Sequence, residues 1–208
     1  MEEFLQTKKG GSFLHAYIPM YSVLFLCAHL LEPTLPFLHL FTAGICINIW
    51  IYLIHRIFHS FYILCSQSTI STLQKISYLN FHVSIHHRKC LALPKWLELT
   101  IESTQEVLMF FIFVTLQYIT DIHIVPMSII LLVGFLYNSI HIINYSIYSS
   151  DIHNAHHINP DTNFGPDILD HVFGTNADET YEYMHHYIPN LILSYLLIQY
   201  IDGQSFIG

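Results

Sequence analysis

Three apolar runs, Phe13–Leu31, Phe37–Ile54 and Val125–Ile143, each about 18–19 residues long, limit what this chain can fold into. A helix needs about 20 such residues to cross a hydrocarbon layer roughly 30 Å thick, so each run has the length of a membrane span. Leu97–Ile119 is a fourth candidate, interrupted by Glu98, Glu102 and Glu106. A content of 53% hydrophobic and only 11% charged residues separates the chain from ordinary soluble domains. The expectation is all-α: an integral membrane helical bundle of four transmembrane helices, forming a single membrane domain over residues 1–208.

The connections sharpen this. Glu32-Pro33-Thr34-Leu35-Pro36 joins the first two runs and the short stretch around Thr120–Val125 joins the last two, so each pair reads as a helical hairpin. Everything outside the hairpins then lies on one side of the membrane. Lys8, Lys9, Arg56, Lys75, Arg88, Lys89 and Lys95 all fall on that side and neither connection carries a Lys or Arg, which by the positive-inside rule makes that side cytosolic. Residues 1–12 read as a short polar tail, 55–96 and 144–187 as two inserts, with a break near Cys90–Pro94. Ile188–Ile201, at about 14 residues or ~21 Å of helix, is expected to lie at the interface or pack on the bundle rather than span. Cleavage of the first run as a signal peptide is not expected, because its loss would put the histidines below on opposite faces.

Histidine supplies the chemistry. His55 and His59 form an HxxxH, His82, His86 and His87 an HxxxHH, and His153, His156 and His157 an HxxHH, with His141 alone before the last. Helical residues three and four apart share a face, with Cβ atoms ~5–6 Å apart, so each cluster can aim two or three imidazoles at one point. By the hairpin topology all nine fall on the cytosolic side. Histidine is the commonest metal ligand, and three clusters can hold two metal ions in a histidine-rich cytosolic cap. Asn138, three residues before His141, shares its face. His15, His29, His39 and His123 lie at or near the other ends of the spans and are not expected to be ligands; His171, His185 and His186 are closer in sequence.

Glu98, Glu102 and Glu106 repeat every four residues and make an acidic stripe on the third span. A stripe at the headgroups is the plain reading. A carboxylate at membrane depth should instead face the bundle interior, where it would neighbour the histidines without ligating. The net charge of −8 and the absence of a basic groove speak against nucleic acid as a partner. Cys27, Cys46, Cys65 and Cys90 show no CxxC spacing and are expected as free thiols.

These clusters, in this order and on one side of two hairpins, resemble the fatty acid hydroxylase/sterol desaturase superfamily of membrane-bound, histidine-rich di-iron oxygenases. Its pattern is HxxxH, then HxxHH or HxxxHH, then HxxHH. The stretch Thr162–Thr175, with Asn163-Phe164-Gly165, Asp170 and Phe173-Gly174-Thr175, is similar to that family's Asn-Tyr-Gly followed by Trp-Asp and Phe-Gly-Thr. Leu169 stands where the family commonly has Trp. The motifs cover roughly residues 50–176.

The resemblance implies a dinuclear metal centre that uses O2 to hydroxylate or desaturate a lipid such as a sterol or fatty acyl chain. It carries over His55, His59, His82, His86, His87, His153, His156 and His157 as ligands. His141 joins them from its place near the cytosolic end of the fourth span. Asn138, Asn163, Asp167 and Asp170 are candidates to support the ligand imidazoles, the last three by bonding their far nitrogens, though turn and cap roles fit them equally. The cofactors would be two Fe ions, with Zn possible in the same site. Imidazole suits iron, and eight or nine nitrogens over two metals leave a position open for oxygen. The chain shows no nucleotide fingerprint, so electrons would come from an external donor such as cytochrome b5 and its reductase. The setting would be a multi-pass membrane protein, in the endoplasmic reticulum of a eukaryotic cell. Two other classes stay open. A catalytically silent, metal-stabilised membrane protein binding lipid or partners would hold zinc in the same histidines. A zinc hydrolase needs an HExxH, but Arg56, Val83 and Asn154 stand where its Glu would be.

Overall fold

The computed structural model describes residues 5–6, 13–87 and 92–205. Lys8, Lys9, Arg88, Lys89 and Cys90, with the other positions of the tail and most of the expected break, lie outside the described residues. Cys27, Cys46 and Cys65 are free thiols. Apart from a two-residue parallel ladder between Leu5–Gln6 and Tyr148–Ser149, the described elements are helical. They are α1 (Phe13–Leu31), α2 (Phe37–Ser66), α3 (Ser71–Ser77), a π-helical turn (His82–His87), α4 (Lys95–Thr120) and α5 (Met127–Ser139). A second π turn (Ile140–Asn144) follows, then α6 (Tyr145–Ile147), α7 (Asp151–Ile158), α8 (Asp167–Phe173), a 3₁₀ turn (Met184–Tyr187) and α9 (Ile188–Ser205).

Leu14–Leu31, Phe37–Ser66, Lys95–Thr120 and Met127–Asn144 are long and apolar enough to cross a membrane. The second helix is longer than its apolar run suggests. No Pro or Gly interrupts residues 55–66, so α2 continues unbroken through His55 and His59. The fourth apolar run is α5 plus a π turn, so His141 sits on π-helical backbone.

The described residues divide into two compact units, and α2 and α4 each run from one into the other. The first comprises residues 1–48, 110–151 and 180–208. Within it α9, at 18 residues longer than its apolar run, packs against α1 and α5, and Tyr17, Leu132 and Leu191 are fully buried. Both hairpin turns belong to this unit. Gln117 closes the α4–α5 turn, its amide donating to the Val125 carbonyl at 3.0 Å while the Val125 N–H donates to its oxygen at 2.9 Å. The Ser128 hydroxyl donates to the Glu32 carboxylate, holding the α1–α2 and α4–α5 turns side by side as two hairpins of common sense require.

The second unit comprises residues 49–109 and 152–179. It gathers the later part of α2, α3, the first π turn, the first part of α4, nearly all of α7, and α8. Eight of the nine singled-out histidines fall in it.

Candidate metal centre

Three local backbones present the histidines. His55 and His59 are one α-helical turn apart on α2. His153, His156 and His157 use α7 in the same way, since positions three and four along an α-helix flank the first. The HxxxHH spacing cannot do this on an α-helix, where the fifth residue swings off the face. The π turn solves the problem: its i→i+5 hydrogen bonding widens the turn, and His86 and His87 then straddle His82. Asn80 fixes this turn to α2, its amide donating to the Phe58 carbonyl at 2.5 Å while the Ser84 N–H closes onto the Asn80 carbonyl at 2.9 Å. No sequence motif marked Asn80.

The imidazoles converge. His55 Nε2 lies 3.2 Å from His59 Nε2, 2.7 Å from His82 Nε2 and 3.1 Å from His156 Nε2. His87 Nε2 is 3.1 Å from His82 Nε2. One nitrogen from each of His55, His59, His82, His87 and His156 falls within a common 4.8 Å, and so does one from each of His86, His87 and His157. His153 joins the second group through His157, Nε2 to Nε2 at 3.0 Å.

Hydrogen bonding decides what these contacts are. His55 Nδ1 sits 2.5 Å from the Phe164 carbonyl oxygen, and His156 Nδ1 2.5 Å from that of Thr162. A carbonyl only accepts, so both Nδ1 atoms carry the proton and donate it. In the neutral rings both Nε2 atoms are then lone pairs, facing each other at 3.1 Å, which is repulsive unless a cation binds both. Nitrogens about 2.1 Å from one metal and at right angles around it lie about 3.0 Å apart, close to the separations found. The donor set therefore fits a metal ion of the kind imidazole serves.

Electrostatics keeps the rings ready. Burial pushes His156 down to about 3, helped by the neighbouring His59. Burial, then the surrounding histidines, pushes His82 and His87 well below the ordinary histidine range. At neutral pH these rings carry lone pairs.

One loop orients two of the clustered histidines. Asp170, fully buried, accepts from the Phe164 N–H (2.8 Å), the Gly165 N–H (2.6 Å) and the Thr175 hydroxyl (2.7 Å). Burial raises its carboxyl to about 6, against those three hydrogen bonds. The loop turns through Asn163 and Gly165 at φ 51° and 68°, backbone that suits Asn and Gly. The Phe164 ring stands edge-on to His55, His59 and His156 at 5.7–5.8 Å. Thr175 also meets the Tyr52 hydroxyl at 3.0 Å, one turn before His55 and Arg56 on α2.

The far nitrogens of His55 and His156 go to main-chain carbonyls and not to Asn163 or Asp170. Asn163 instead donates to the Ile152 carbonyl and accepts from the Ala177 N–H, and Asp170 acts one step removed, through the loop. Asp167 pairs with His171 at 3.6 Å. The acidic stripe does reach the cluster: Glu102 Oε1 lies 3.0 Å from His86 Nδ1, both side chains largely buried.

A match over residues 40–175 to the fatty acid hydroxylase family model covers nearly two thirds of the chain. The chain belongs to the fatty acid hydroxylase family. No curated protein and no solved structure gives a significant match. For this fatty acid hydroxylase family member the matched span contains every histidine of the two groups above.

His141 and Asn138 belong to the first unit, the His141 ring against Tyr137 and Tyr145. His185 and His186 are on the 3₁₀ turn of that unit, where His186 Nε2 lies 3.7 Å from Glu182. His123 faces Asp121 at 3.5 Å, both exposed.

Proposed function

We propose that this fatty acid hydroxylase family member is a membrane-bound di-iron oxygenase that hydroxylates or desaturates a sterol or fatty acyl lipid, using O2 and external electrons. In this reading His55, His59, His82, His87 and His156 serve one iron and His86, His153 and His157 the other, with His141 as ninth ligand. Two irons bound there would supply the O2 activation that an unactivated C–H bond needs. The observation that carries the proposal is the pair of lone-pair nitrogens, His55 Nε2 and His156 Nε2, facing each other at 3.1 Å in a buried cluster.

The chain's own residues hold the ligands. Phe164 and Thr162 carbonyls fix the tautomers of His55 and His156, Asp170 pins the loop that carries those carbonyls, and Glu102 holds His86. Asn138, Asn163 and Asp167 support the site from further out. The Phe164 ring keeps one side of the cluster dry. Hydroxylation takes more electrons than the substrate supplies, so a donor such as cytochrome b5 with its reductase would dock on the cytosolic face. The endoplasmic reticulum is the corresponding membrane in a eukaryote.

The test is metal content and redox response of detergent-solubilised protein from iron-replete cells. Two irons per chain, reducible and reoxidised by O2, with lipid turnover on adding an electron donor, are expected. Two zincs that iron does not replace under anaerobic reconstitution would overturn the oxygenase reading, because zinc has no redox chemistry.

A further inference from the structure

The histidines are not all held by the same kind of partner. His55 and His156 donate to neutral carbonyls, of Phe164 and Thr162, at 2.5 Å. His86 faces a carboxylate, Glu102 Oε1, at 3.0 Å, with the two side chains only 13% and 5% exposed. Glu102 lies on α4, a helix apolar enough to span a membrane, where an ionisable group is costly and normally has a specific partner. Glu98, one turn earlier on the same stripe, pairs with Lys95 at 3.6 Å.

We infer that Glu102 is a positioning residue that makes the two metal positions electronically unequal. A carboxylate behind an imidazole fixes its tautomer and makes it a stronger donor than a carbonyl does. With the Glu102 carboxylate 3.0 Å from Nδ1, His86 has Nε2 left for the group it forms with His87 and His157. The position served by His86 is therefore the more electron-rich of the two, favours the higher oxidation state, and is reduced second. This rests on the two-iron reading above and deepens it: the order in which the centre takes up electrons is set by a side chain from the membrane helix.

The experiment is a stepwise anaerobic dithionite titration of the iron-loaded full chain, followed by Mössbauer spectroscopy, for wild type, Glu102→Gln and Glu98→Gln. Wild type should show two resolved reduction steps. Glu102→Gln keeps a hydrogen-bonding side chain but removes the charge. It should move the later step to more positive potential, leave the earlier one in place, and weaken iron at one position about 10–100-fold. Glu98→Gln removes the same charge from the same stripe and should titrate as wild type. If Glu102→Gln does not fold, Glu102→Asp keeps the charge but shortens the reach to His86, and should weaken iron at one position only. Two irons in every variant, with Glu102→Gln or Glu102→Asp behaving as wild type, overturn this inference alone. A wild-type protein without redox-active metal overturns both it and the two-iron reading.

Discussion

The two histidine doublets reach neighbouring points by different backbones. His156-His157 sits on the α-helix α7, His86-His87 on a π turn. The α doublet has its leading ring fully buried and its partner nitrogen fixed by the Thr162 carbonyl. The π doublet has a carboxylate from another helix 3.0 Å from its leading ring, and Asn80 pins the turn to α2. Motif spacing dictates this contrast: three and four fit 3.6 residues per turn, while four and five do so only on a widened turn.

Removing a ligand from either side should have the largest effect. His156→Ala should abolish lipid turnover and cost metal at the position served by His55, and His86→Ala should cost metal at the other, while His123→Ala changes neither. Metal per chain and turnover on the three variants check this, and full turnover by His86→Ala would break the assignment.

Next is the loop behind the α doublet. Asp170→Asn leaves buried N–H groups of Phe164 and Gly165 competing for one remaining oxygen. It should weaken metal about 10–100-fold and destabilise by about 1–3 kcal/mol, measured by chelator competition and urea unfolding. An unchanged metal affinity would mean that the loop carbonyls do not need the carboxylate.

Deleting Ser84 would give the π doublet the spacing of the α doublet, with His82, His86 and His87 as HxxHH on an α-helix. Both metals should then remain, weakened about tenfold, within the usual cost of disturbing ligand support. Loss of metal as complete as in His156→Ala would show that the π turn is required for more than spacing.

The smallest effect is on pH dependence. Histidines held below their unfolded value of about 6.5 leave the unfolded chain binding more protons than the folded one as pH falls. The metal-free protein should lose stability below about pH 6.5, the loss continuing toward the folded values, about 3 for His156. Its thermal midpoint should drop from pH 7.5 to 5.5, and less so in His156→Ala. A midpoint that stays level or rises would contradict the burial of these rings in the metal-free state.

Much of this was legible from residue order. Apolar runs of near-span length yield helices because a helix is the local solution for such runs; the first three lie within α1, α2 and α4 and the fourth is α5 plus a π turn, although the apolar pattern stopped short of where α2 and α9 end. The histidine clusters declared themselves because helical spacing is local. Glu102 was marked only as one of three equivalent glutamates, since an i, i+4 repeat says which face a residue occupies and not what faces it.

What sequence by itself determined is the inventory: four apolar helices, three histidine clusters at helical spacing, and the family motif around Asn163-Phe164-Gly165. Tertiary structure decided the partners. That His55 on α2 meets His82 and His156, that main-chain carbonyls of Phe164 and Thr162 choose the tautomers of His55 and His156, and that Glu102 lies 3.0 Å from His86 all depend on contacts between segments distant in the chain. Main-chain carbonyls are common to every residue and leave no trace in a sequence, so only the folded chain shows which two of them aim His55 and His156.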